Sequence, residues 1–157
     1  MSNDKKKASG DGVVAQNRRA RFDYDIEDTL EAGIVLAGTE VKSLRQGGCS
    51  LQDGFVMIEE GEAILYNVHI SPYEAGNRYN VNPMRPRKLL LNKREIARLE
   101  GRVREQGYTL IPLSLYFNER NLVKVKVGVA RGLAKYYKRE KLKKKEQQRE
   151  MQKALRQ

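Results

Sequence analysis

The chain has no tryptophan and only three phenylalanines among its 157 residues, and 39% of it is hydrophobic, enough for one modest core. It has one cysteine, Cys49, so it forms no internal disulfide and cannot assemble a Cys-rich zinc site. It has one histidine, His69, and no second His or Cys completes a metal site around it. No apolar run approaches the ~18 residues a membrane span needs. The first residues, MSNDKKKASGDG, lack the apolar stretch of a secretory signal. A G-x-x-x-x-G-K-[ST] phosphate loop is also missing. These absences predict a reducing, cytoplasmic setting and no cofactor.

What the chain has is positive charge. It carries a formal +11, with a pI near 9.8, and this favours an anionic partner, nucleic acid or a membrane surface. Most of the excess lies in residues 131–157, RGLAKYYKREKLKKKEQQREMQKALRQ, where eleven Lys and Arg face only Glu140, Glu146 and Glu150. The segment is made of good helix formers, yet its apolar residues are too sparse to bury a face. Such a segment folds on a polyanion, or merely aids solubility. With no bulky apolar face to insert, the membrane alternative is the weaker one. The organisation is therefore a disordered arm over 1–12, a folded region over 13–130 and a basic tail over 131–157.

The folded region is mostly strand. Residues from Tyr24 to Leu36 begin with apolar–polar alternation, and Gly33 inside them marks a bend or close backbone approach. Thr39 to Arg45 predicts a short helix capped by Thr39 and ended by Gly47-Gly48. Phe55 to Glu59 and Glu62 to Asn67 form a hairpin across Glu60-Gly61, and residues 71–87 are loop. A helix follows, with Asn92 and Glu95 as a capping box, Ile96, Leu99 and Val103 at helical spacing, and Gly107 as its stop. A second hairpin joins Thr109–Phe117 to Leu122–Gly128, with Pro112 requiring an edge or a bulge. The expected fold is mainly β: an OB-type antiparallel barrel with a few short-to-medium helices and a tail that is helical when bound.

In the last strand Lys124 and Lys126 alternate with Val123, Val125 and Val127 and so share the outward face. Other basic residues gather at Arg18, Arg19 and Arg21, at Lys42 and Arg45, and at Arg85, Arg87 and Lys88. Few aromatics accompany them on the strands, so base stacking is minor and a folded, largely double-helical RNA fits better. Glu31 is the odd carboxylate in this company. It accepts from a base or 2′-hydroxyl, orients an Arg, or simply faces solvent.

Several ordered segments resemble one family, small protein B (SmpB): Asn17-Arg18-Arg19-Ala20-Arg21, Glu31-Ala32-Gly33-Ile34, Gly38 to Arg45, His69 to Tyr73, Arg87 to Leu91, Pro112 to Phe117, and Val123-Lys124-Val125. The resemblance runs from about Val13 to the end. It implies an RNA-binding protein of bacterial trans-translation, whose barrel binds the tRNA-like domain of transfer-messenger RNA (tmRNA). Such a protein aids aminoacylation of that RNA and delivers it, with GTP-bound elongation factor Tu, to stalled ribosomes. Its tail becomes helical in the empty mRNA channel of the small subunit, past the decoding centre and against rRNA. By that resemblance Asn17, Arg19, Arg21, Glu31, Lys42, Leu91 and Lys124 belong to the tmRNA surface. Arg45, Arg87, Lys88 and Lys126 join them as basic neighbours. In the tail, Tyr136, Tyr137, Lys138 and Arg139 form the junction, and Lys143, Lys144, Lys145 and Arg149 grip rRNA backbone. Tyr137 departs from the resemblance, since the family usually has Asp there. A monomer is expected.

Two other readings stand beside this one. A general OB-type binder of structured RNA, or a ribosome-associated protein, needs no tmRNA preference. An enzyme would be a metal-dependent RNA hydrolase built on Glu59 and Glu60, although a hairpin turn favours plain solvation of those carboxylates. Cys49 as a nucleophile has no base that the sequence supports. No catalytic residue is expected.

Overall fold

The computed structural model describes residues 12–75, 80–132 and 146–154. Its elements are β1 (Val13–Gln16), α1 (Ala20–Asp23), β2 (Tyr24–Ile34), α2 (Gly38–Arg45), β3 (Cys49–Ser50), β4 (Phe55–Glu59), β5 (Glu62–Tyr66), β6 (His69–Ile70), β7 (Arg87–Leu90), α3 (Lys93–Gln106), β8 (Thr109–Phe117) and β9 (Val123–Gly132). A further helix, α4, covers 146–154.

Strands β8, β4, β5, β7, β2 and β9 pair in that order, and β9 pairs back onto β8, so the antiparallel sheet closes on itself. Closure shortens the edges an open sheet would expose. The expected barrel is present. Both predicted hairpins are there as well, the first turning through Glu60 and Gly61 at positive φ, 50° and 76°.

Two features shape the ring. β2 pairs with β9 from Tyr24 to Gly33 but reaches β7 only at Gly33 and Ile34. A Cβ on Gly33 would stand 3.2 Å from Leu90 Cβ, so glycine admits the crowded crossing. In β8 the register shifts between Pro112 and Ser114. Proline cannot donate to a ladder, and the bulge absorbs that defect. Beyond the bulge the free edge of β8 takes β1, through Leu115 and Ser114 opposite Ala15 and Gln16. The Asn17 amide holds the join, donating from Nδ2 to Pro112 O at 3.1 Å and more weakly to Leu51 O at 3.4 Å.

The interior is mostly aliphatic: Ala32, Val56, Ala63, Leu65, Leu89, Leu110, Leu115, Val125, Val127 and Val129 are all buried in one cluster, with Tyr108 and Phe117. α3 adds Leu99 to it. That helix starts as the residues demand: Glu95 N–H donates to Asn92 Oδ1 at 2.8 Å and Asn92 N–H to Glu95 Oε1 at 3.2 Å. It ends at Gly107, whose φ of 71° a side chain would resist. A second, smaller cluster of Ala20, Ile111, Leu113 and Ala130 seats α1 on the barrel.

Three expectations need correction. The N-cap of α2 is Ala37, not Thr39, and Glu40 does the capping, its Oε1 accepting from Ala37 N–H at 2.9 Å. β1 and α1 lie in residues to which the alternation gave no element. The final strand runs to Gly132, past the expected end at Gly128, with Arg131 opposite Asp25 and Gly132 opposite Tyr24. Tyr108 secures that end between the guanidinium groups of Arg102 and Arg131, each 4.6 Å from the ring centroid.

Candidate nucleic-acid interface

The outward face of β2, β9 and β8 is set by strand alternation. Val125, Val127 and Val129 point into the barrel, so Lys124 and Lys126 point away. Register puts Lys124 between Gly33 and Tyr116, and Lys126 between Glu31 and Ser114. The Tyr116 hydroxyl donates to Glu31 Oε2, a bond that crosses β9 diagonally between the two lysines. Burial, reinforced by Glu31's hydrogen bond and charge, holds the Tyr116 hydroxyl well above the usual phenol range. Neither lysine makes an ion pair with Glu31 among the described residues.

Lys126 also lines a cleft of about 330 Å³ with Gln16, Asn17, Arg18, Arg21, Leu113 and Ser114. The cleft exists because β1 ends against the β8 bulge and α1 turns the chain back over Ile111 and Leu113. Three cations around one concavity suit a phosphate. Arg19 is the N-cap residue of α1, with its guanidinium over the Phe22 ring and 3.5 Å from Asp23. Around the barrel, α2 presents Lys42 above the Tyr73 ring and Arg45 above the Phe117 ring.

Sequence reasoning misjudged some members of the set. Arg87, expected on the RNA surface, is buried, because β7 alternates with Arg87 and Leu89 facing inward. Its guanidinium donates to Glu40 Oε2 at 2.7 Å, Val68 O at 2.7 Å and Pro83 O at 2.9 Å. Arg85 grips the other carboxylate oxygen at 2.5 Å. Burial raises the Glu40 carboxyl, but the hydrogen bonds from Arg85, Ala37 N–H and Arg87 outweigh it and leave the group below its ordinary value. This cluster is structural. Leu91 packs partly on the core, and it is Leu90 that stands exposed over Gly33. Lys88 does face outward, and Glu62 meets its amine at 2.6 Å.

The geometry adds Tyr116, Ser114 and Gln16 to the face and brings Arg18, of the expected basic group, beside them. Alternation in Leu113 to Phe117 could have suggested Tyr116, since it is out of phase with buried Leu115 and Phe117. Tyr136, Tyr137, Lys138, Arg139, Lys143, Lys144 and Lys145 lie outside the described residues. Arg149 is exposed on α4.

Other chemistry finds little support. Burial pushes the Cys49 thiol up to about 11, although Arg87 opposes the rise, so little thiolate exists at neutral pH. Glu59 accepts a hydrogen bond from the Tyr66 hydroxyl, and Glu60 sits in the hairpin turn. Among the described residues no group of three His, Cys, Asp or Glu could hold a metal ion, and no helix is long and apolar enough to cross a membrane.

The same chain is readily matched to known proteins. It is 56% identical over 151 residues to the SsrA-binding protein of Staphylococcus carnosus (strain TM300), covering 96% of each chain. To the SsrA-binding protein of Geobacillus thermodenitrificans (strain NG80-2) it is 57% identical over 148 residues, 94% of this chain and 95% of the relative. A solved structure described as "tmRNA-SmpB: a journey to the center of the bacterial ribosome" superposes with a TM-score of 0.66 at 53% identity, covering 79% of this chain and 86% of the other. The model of the SmpB protein family matches residues 14–157, nearly the whole length, and the chain belongs to that family.

Proposed function

We propose that this protein binds the tRNA-like part of tmRNA on its β2–β9–β8 face and carries it to stalled ribosomes for trans-translation. The observation that carries the reading is the pairing of that face with the adjoining cleft. Lys124, Lys126, Arg18 and Arg21 supply charge for backbone phosphates, while Glu31 interrupts the charge with one fixed acceptor. Phosphate contacts position a nucleic acid without selecting it; the acceptor supplies selectivity. Lys42, Arg45 and Arg19 extend the surface, and exposed Leu90 gives it an apolar contact beside Gly33.

The basic segment from residue 133 onward acts on the ribosome, entering the empty mRNA channel and gripping rRNA backbone. Elongation factor Tu with GTP arrives on the same tmRNA rather than on this chain. The protein works as a monomer in the cytoplasm and performs no catalysis itself.

Two measurements test this. In binding competition, tmRNA should stay bound against excess tRNA; equal displacement would favour a general binder of structured RNA. A chain ending at Gly132 keeps the whole of β9, so it should retain tmRNA binding and lose peptide tagging on stalled ribosomes. Loss of tmRNA affinity on that truncation would refute the division between barrel and tail.

A further inference from the structure

A carboxylate on a phosphate-binding surface is a liability unless something directs it. Glu31 stands directly opposite Lys126 in the β2–β9 ladder, where an unrestrained side chain would form an exposed cross-strand ion pair. It does not, because the Tyr116 hydroxyl holds Oε2 from the far side of β9. Lys126 is thereby left to line the cleft with Arg18 and Arg21. The second oxygen, Oε1, is left as an acceptor flanked by cations.

We infer that Tyr116 is a positioning residue for the RNA face: its hydroxyl fixes Glu31 as the acceptor for a ribose 2′-hydroxyl and keeps that carboxylate off Lys126, which takes the neighbouring phosphate. The inference rests on the RNA-binding reading above. A 2′-hydroxyl is the fitting donor because the shallow minor groove of A-form RNA lines up these hydroxyls within reach of a convex surface, close to the phosphates of the same strand. Glu31 also rejects any strand that would put a phosphate at its own position. The raised pKa of Tyr116 keeps its hydroxyl a donor throughout the working pH range.

The test uses the full chain and a tRNA-like RNA in two versions, one native and one with 2′-fluoro groups in its duplex arm, which preserve A-form geometry but cannot donate. Wild type should prefer the native RNA by about tenfold, the worth of one hydrogen bond to a charged acceptor. Tyr116→Phe keeps the ring and removes the bond. It should lose the preference, and the slope of log K against log salt should shrink by about 0.9 as Glu31 swings onto Lys126. Adding Glu31→Gln to Tyr116→Phe should restore the slope, since glutamine cannot neutralise the lysine, but not the preference. A purely structural tyrosine would move neither. A wild type indifferent to 2′-fluoro, or a Tyr116→Phe variant unchanged in either preference or slope, would overturn the inference. Wild type displaced equally by tRNA would instead sink the tmRNA reading beneath it, so the two failures are distinguishable.

Discussion

On β7 and β9 an arginine and a lysine do opposite work. Arg87, inside the barrel, is surrounded by protein acceptors: Glu40, the Val68 carbonyl and the Pro83 carbonyl take its donors. Lys126, outside, faces a cleft shared with two arginines and makes no ion pair among the described residues. Both are cations on β-strands, separated by a one-residue difference in phase. On a barrel, charge becomes structural or functional by which side of the sheet it lands on. A buried charge needs fixed partners, because desolvation costs several kcal/mol, and so has nothing left for a ligand. An exposed one keeps its hydration until a phosphate displaces it.

The buried cluster depends most on Glu40. Glu40→Gln keeps the shape and removes the charge that compensates Arg87, leaving a buried cation half-partnered. The expected loss is about 3–5 kcal/mol, or roughly 1–3 M in urea midpoint for a domain of this size. RNA affinity of the folded fraction should change little. A midpoint shift below ~0.3 M would mean water reaches the cluster and the inside–outside contrast is overdrawn.

Acid offers a milder version of the same cut. Glu40's carboxyl sits below its ordinary 4.5 in the folded protein. A depressed carboxyl contributes stability that is fully present above the unfolded value and disappears as pH falls through the folded one. The stability gap between wild type and Glu40→Gln should therefore be constant near neutrality and narrow below about pH 4.5. Urea melts of both proteins at neutral pH and at several acid values measure it. A gap that widens toward acid would assign the wrong sign to this group.

How far such contrasts were legible in the residues depends on distance along the chain. The capping box of α3, the Glu60-Gly61 turn, the Pro112 bulge and the Val–Lys alternation of β9 are local, and each was readable. Arg87 was not, since its partner Glu40 lies 47 residues away. Alternation in Arg87 to Leu90 sorts the residues into two faces but does not say which face is inside; only pairing with β5 and β2 decides that. β1 was invisible for the same reason, because its four residues are a strand only through β8. The site followed suit. Its lysines were legible from period two, whereas the Tyr116 to Glu31 bond joins residues 85 apart and crosses a third strand.

The smallest expected effects fix where the RNA face ends. Lys88 and Lys126 both point outward, but Lys88 is half exposed and matched by Glu62 at 2.6 Å, two strands away from β9 round the ring. Lys126→Ala should lower affinity for all RNA sequences alike and reduce the salt slope by about 0.9, one phosphate's worth. Lys88→Ala should leave the slope within error and cost under about 1 kcal/mol of stability, as exposed ion pairs do. Salt titrations of both variants against one RNA decide the matter. Equal slopes would carry the RNA-binding surface round from β9 across β2 to β7, and Glu62 would then be the group that RNA displaces. An unchanged slope for Lys88→Ala alone keeps β7 out of the phosphate track, because a lysine already neutralised by protein releases no counterion when RNA arrives.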